Sequence, residues 1–202
     1  LWTALYDERD LAAGIELRNE GDGPLWLLRE RVGTPLSAPA ADSAGIAVRR
    51  DWFTPDGRPF RGGELREGDS LVVRLTVEAL EQVEDLVVVD PLPGGLEVEN
   101  LNLLDARLLQ TLVIEGQALA DRGGSETIRH EEYRDDRYSA VLRLWSGQTG
   151  QLWYVVRAVS PGEYAVPPVQ AEDMYRPWLR AVGAGGSRLR VLPPQGRGQT
   201  GP

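Results

Sequence analysis

The feature that most constrains this chain is an apolar/polar alternation with a period of two, repeated along much of its length. Leu71, Val73, Leu75 and Val77 alternate with Val72, Arg74, Thr76 and Glu78. Tyr138, Ala140, Leu142 and Leu144 repeat the pattern, and so do Leu152, Tyr154, Val156 and Ala158. Successive side chains of a strand point to opposite faces, so each run predicts a strand with one face in a core. Residues 83–90 hold Leu86, Val87, Val88 and Val89 in one run, as a strand covered on both faces would, and Leu96 and Val98 follow after a Pro-Leu-Pro-Gly-Gly turn. Weaker alternation predicts strands at 14–19, 25–32, 45–50, 128–134, 163–166 and 188–192, with a helix only at 103–113. Short strands divided by Gly and Pro turns, without a strand–helix–strand rhythm, predict an all-β, antiparallel β-sandwich.

The pattern lapses at residues 35–43, where Pro, Ala and Ser replace periodic sequence. Residues 37–43 are therefore expected to be a linker, and 44–192 the sandwich. Residues 1–36 hold too few strands to bury a face and are expected to be the terminal strands of a preceding β domain, or a docked flap. Residues 193–202 lack apolar anchors and are expected to be a disordered tail. The chain opens at Leu1 and has a single Met, Met174, so it is expected to be a piece of a longer polypeptide.

Charge narrows the function classes. Thirty-one acidic residues against 22 basic ones give a net charge of −9, which argues against nucleic acid or anionic lipid as a partner. All the basic residues are Arg, and there is no Cys, so lysine Schiff bases, thiolate nucleophiles, disulfides and cysteine metal sites are excluded. No apolar run approaches the roughly 18 residues of a membrane-spanning helix.

Candidate chemistry is sparse. Residues 129–137 contain the one His, His130, with Glu131, Glu132, Asp135 and Asp136. His130 and Glu132 would share a strand face as base and orienter, yet no nucleophile motif accompanies them, and Ser125 sits in a plain Gly-Gly-Ser loop. A solvated, ion-paired hairpin is the simpler reading. Asp135 and Asp136 would point to opposite faces, which predicts no metal site, and the Gly183-Ala184-Gly185-Gly186 run precedes a strand and not a helix, which predicts no phosphate loop. No cofactor is expected. The unusual segment is 167–178, Pro-Pro-Val-Gln-Ala-Glu-Asp-Met-Tyr-Arg-Pro-Trp, where Met174, Tyr175 and Trp178 occupy a connection that would normally be polar. Such a loop either plugs the end of its own sandwich or meets a partner.

Glu172-Asp173-Met174-Tyr175-Arg176-Pro177, with Arg157 to Tyr164 and the Pro167-Pro168 pair before it, resembles the C-terminal end of bacterial alpha-2-macroglobulins. Arg50-Asp51-Trp52-Phe53, Asp56-Gly57, Gly68-Asp69, Asp90 to Glu97 and His130 to Arg137 resemble stretches of that family's last macroglobulin-like domain, in order. Ile15 to Asn19 with Pro24-Leu25-Trp26 resembles strands that follow the thioester domain. The resemblance implies a macroglobulin-like sandwich of immunoglobulin or fibronectin III architecture, non-catalytic, in a large periplasmic protein that a lipid at its N-terminus anchors to the inner membrane. That protein traps proteases after they cut a bait region, and its other domains, target proteases and other envelope proteins are the implied partners. In members with a thioester, the residues matching Met174 and Tyr175 pack over that bond, with Trp178 beside them and Glu172, Asp173, Arg176 and Pro177 supporting the motif. The competing reading is a cell-surface adhesion module whose loop binds a ligand.

Overall fold

The computed structural model describes residues 4–28, 30, 37–99, 113–114, 117–118 and 127–194. The chain forms two compact units, Leu1–Thr34 and Pro35–Pro202. In the first, a helix, α1 (Glu8–Ala13), starts at Asp7, whose Oδ1 accepts the amides of Arg9 at 2.9 Å and Asp10 at 3.0 Å. The described parts of 14–19 and 25–32, expected to be strands, are irregular, which corrects that expectation. Alternation makes a segment competent to pair, but a strand exists only where a second backbone accepts it, and none is present among the described residues of this unit. Trp26 and Leu28 are accordingly exposed.

The second unit is β throughout its described residues. Its chain begins β1 (Asp42–Ala44), β2 (Ile46–Phe53), β3 (Pro59–Phe60), β4 (Gly63–Arg66), β5 (Ser70–Ala79) and β6 (Val83–Pro91). It continues through β7 (Leu96–Glu99), β8 (Val113–Ile114), β9 (Gln117–Ala118), β10 (Ile128–Arg134) and β11 (Arg137–Leu144). It ends with β12 (Thr149–Ala158), β13 (Gly162–Ala165), β14 (Gln170–Asp173), β15 (Arg180–Val182) and β16 (Arg188–Leu192). A six-stranded sheet, β1-β15-β14-β6-β11-β10, faces a five-stranded one, β3-β2-β5-β12-β7. Both are antiparallel; in a smaller sheet, β13-β16-β4, the β16–β4 pair is parallel. Inward residues of the predicted alternations, among them Leu71, Val73, Leu75, Val77, Leu142, Leu144, Leu152 and Tyr154, form the core.

Several expectations shift. Val87 and Val89 are half-buried, so β6 has one buried face and one partly covered face, not two buried ones. Asp42 and Ser43, expected in the linker, pair with Val182 and Ala181. The expected helix 103–113 and tail 193–202 lie outside the described residues, except for Val113, in β8, and Pro193 and Pro194.

Between the sheets lies a polar knot. Asp90 of β6 is fully buried and accepts hydrogen bonds from the Arg50 guanidinium of β2 and, at 2.5 Å, from the Tyr154 hydroxyl of β12. Arg50 Nη2 also donates to the Pro167 carbonyl at 2.7 Å, and Tyr154 stacks on Tyr138 at 4.4 Å between ring centroids. Burial pushes the Asp90 carboxyl up against the opposing pull of Arg50, and burial beside Asp90 pushes the Tyr154 hydroxyl well above its ordinary value. A buried charge stripped of its partner is costly, whereas an apolar pair of similar volume is not. Arg50→Met alone should therefore lose about 3–5 kcal/mol in urea unfolding, and Arg50→Met with Asp90→Leu should recover most of it. A double variant no more stable than the single one would contradict this account.

Candidate functional site

The segment 167–178 is not one loop. Pro167 and Pro168 lack the amide hydrogens a strand donates, so pairing starts after them. Gln170–Asp173 then forms β14, an interior strand between β6 and β15, with Glu172 opposite Val87 on one side and Arg180 on the other. Glu172 and Asp173 thus end a strand, and Met174, Tyr175, Arg176, Pro177 and Trp178 form the turn into β15.

Asp173 organises that turn. Its side chain is buried; Oδ1 accepts the amides of Tyr175 and Arg176, each at 2.9 Å, and Oδ2 accepts Arg176 Nε at 2.9 Å and Nη2 at 2.7 Å. The same Arg176 guanidinium reaches the β5–β6 turn, donating to the Gln82 carbonyl at 2.6 Å and meeting Glu81 at 3.3 Å. The Met174 amide donates to the Asp85 carbonyl at 3.0 Å. Burial pushes the Asp173 carboxyl up, but the two amides and the Arg176 guanidinium outweigh it and hold the group below its ordinary value.

With the backbone held this way, the large side chains point to solvent: Met174 is 53% exposed, Tyr175 75% and Trp178 66%. The turn therefore does not plug its own sandwich. Two residues that the sequence reading left out join them at the same end, Leu80 at 65% and Trp145 at 52%. Leu80 lies in the β5–β6 turn that Arg176 grips, and its carbonyl accepts the Ser146 hydroxyl at 2.8 Å, tying in the β11–β12 turn that carries Trp145. Trp145 is braced by the Arg143 guanidinium 4.5 Å from its ring centroid. Large apolar residues at turn positions are the sequence signal that would have found both. Five exposed apolar side chains on interlocked turns form a surface suited to burial against a protein.

The His130–Glu132 pair does not assemble. His130 is exposed on β10, while Glu132 accepts Arg134 at 2.5 Å and Ser139 at 3.4 Å, and Arg134 draws its carboxyl below the ordinary value. Among the described residues no group of three His, Asp or Glu side chains is placed to hold a metal.

The arrangement makes the turn sensitive to Asp173. Asp173→Ala should cost about 1–3 kcal/mol at neutral pH, since it strands two amides and a guanidinium. Because the folded carboxyl titrates below 3.8, its stabilisation is present above that value and is lost as pH falls through the lower folded one. The gap between wild type and variant in urea midpoints should therefore close below about pH 4, and a gap that persists into strong acid would assign the loss to packing instead.

Comparison with known proteins gives a consistent set of relatives. The family profile described as Bacterial Alpha-2-macroglobulin MG10 domain matches residues 45–177. An alpha-2-macroglobulin of Xylella fastidiosa is 45% identical over 178 residues, 88% of this chain but 11% of that relative. The cryo-EM reconstruction of native Escherichia coli alpha-2-macroglobulin matches at 38% identity with a TM-score of 0.71, over 80% of this chain and 10% of that one. The crystal structure of a Salmonella alpha-2-macroglobulin reacted with methylamine matches at 37% identity with a TM-score of 0.69, again over 80% of this chain and 10% of that one. The chain thus spans about a tenth of the length of these relatives.

Proposed function

The chain belongs to the bacterial alpha-2-macroglobulins, carrying their MG10 domain over residues 45–177, and we propose that within its parent it is a non-catalytic docking module. Its apolar end packs on other domains of the same polypeptide and shields the thioester where the parent has one. The parent traps attacking proteases in the periplasm, held to the inner membrane through its own N-terminal part. The observation that carries this reading is the display of Met174, Tyr175 and Trp178 on a turn that Asp173 and Arg176 fix in place. A turn ordered in advance loses little further entropy on docking, and an apolar Met beside an aromatic ring makes a dry cover, which an acyl thioester needs to survive water. The Salmonella relative reacted with methylamine supplies the probe, a small amine that tests access to such a bond.

Two measurements test the reading. Added to the remainder of the parent, the chain should bind, and Tyr175→Ala with Trp178→Ala should weaken that binding by about thirtyfold or more, as loss of aromatic anchors does. An affinity unmoved by the pair would remove the docking role. In an intact parent that holds a thioester, Met174→Ala with Tyr175→Ala should speed methylamine uptake by about tenfold, equivalent to 1.4 kcal/mol of lost shielding. Uptake at the wild-type rate would leave the module as a docking surface without a shielding role.

A further inference from the structure

A second feature lies on the other half of β2, away from the Ile46 end that meets Ala79 beside the apolar turns. A cleft of about 450 Å³ is lined by Arg49, Arg50, Asp51, Trp52 and Phe53 of β2, by residues 59–62, by Arg188 at the start of β16 and by Ser187 just before it. Successive strand residues face opposite ways, so a cleft lined by all five of 49–53 runs along the strand's edge and not over one face. That edge is open. β3 pairs with β2 only at Trp52 and Phe53, through Phe60 and Pro59. Gly62 and Gly63 then take φ of 97° and 124°, a turn that L side chains resist, and carry the chain away into β4 beside β16. Among the described residues, Arg49, Arg50 and Asp51 have no strand partner on that side.

The cleft's charge opposes that of the molecule. Its lining holds five arginines, Arg49, Arg50, Arg61, Arg74 and Arg188, and one acid, Asp51, in a chain of net charge −9. Two of the five are neutralised inside the fold: Arg50 by Asp90, and Arg74 by Asp51 at 2.9 Å. Arg49 shares the same Asp51 at 3.1 Å with 65% of its side chain exposed, and Arg188, 81% exposed, meets Glu163 only at 3.5 Å. Arg61 is exposed. Trp52 and Phe60 supply apolar wall between these cations. Cationic side chains on an open edge repel indiscriminate strand addition, and the same charges select a strand that brings carboxylates.

We propose that this cleft binds an extended acidic peptide segment of a partner protein, which pairs its backbone with β2 at 49–51 and offers carboxylates to Arg49, Arg61 and Arg188. Strand addition gives the affinity and the guanidinium–carboxylate pairs give the selectivity. This site is independent of the apolar end and of its role in the parent.

The test uses the full 202-residue chain and a fluorescent hexapeptide alternating valine and glutamate, followed by anisotropy. Binding should weaken steeply with salt. Arg61→Ser with Arg188→Ser, both exposed, should weaken it by about tenfold or more while leaving the melting temperature unchanged. The peptide should slow amide exchange at 49–51. Equal binding of the glutamine version of the peptide would overturn the charge selection, and displacement by inorganic phosphate at equal concentration would reduce the cleft to a simple anion site. Absence of binding, or exchange at 49–51 unaltered by the peptide, would overturn the proposal as a whole.

Discussion

The interaction on which the rest depends is the buried contact of Arg50 with Asp90. It joins the two sheets at a point where neither charge reaches water, so it tolerates little change of spacing between them. Its remaining hydrogen-bonding capacity is spent on groups that position other elements. Tyr154 fixes β12 against Asp90, and Tyr138 stacks on Tyr154 to fix β11. The Pro167 carbonyl, held by Arg50, fixes the chain two residues before Val169 enters the core and three before β14 begins. A one-residue slip of β14 would reverse the faces of Ala171 and Asp173, removing a buried methyl group and the carboxylate that organises the following turn. The exposed apolar end is therefore positioned from the centre of the sandwich.

β2 connects the two surface features. Its first residues lie beside the turns that carry Leu80 and Trp178, and its last residues form the wall of the arginine cleft. Between them Arg50 anchors the strand. The two surfaces suit different partners, because one is apolar on interlocked turns and the other is cationic along an open strand edge. Neither competes with the other for space on the strand.

The sandwich was legible because its strands obey the period-two rule over long stretches: β5, β11 and β12 each bury the residues that the alternation marks. β14 and β15 escaped notice for an identifiable reason. Each is four residues or fewer, and the Pro pair and the Met-Tyr-Arg-Pro-Trp run around them read as loop chemistry, although tertiary pairing, of β14 with β6 and of β15 with β14 and β1, overrides that local signal. The opposite error fell on the described parts of 14–19 and 25–32, where alternation was present and, among the described residues, the pairing backbone was not. For the site, the residue types of Met174, Tyr175 and Trp178 were legible and their direction was not. Whether an apolar turn folds inward or outward depends on the buried Asp173, which in sequence is one acid among 31. Leu80 and Trp145 on one surface, and Arg61 and Arg188 beside β2 on the other, are gathered by topology from segments apart in the chain.

Charge bears on how an end with five exposed large apolar side chains meets other molecules. The net charge of −9 sets molecules of this chain against one another over about a Debye length, roughly 8–10 Å at ordinary salt, so two apolar ends meet only against repulsion. Short contact with a correctly shaped partner surface escapes that penalty where the partner's charge is neutral or positive around an apolar centre. Three acids near the apolar turns, Glu81, Glu84 and Asp85, are paired with Arg176, Arg143 and Arg129. Local ion pairing thus neutralises part of the acidic rim of the apolar surface. In the docking role proposed above, the distribution of charge, more than its sum, would favour a partner surface over a second copy at the apolar end.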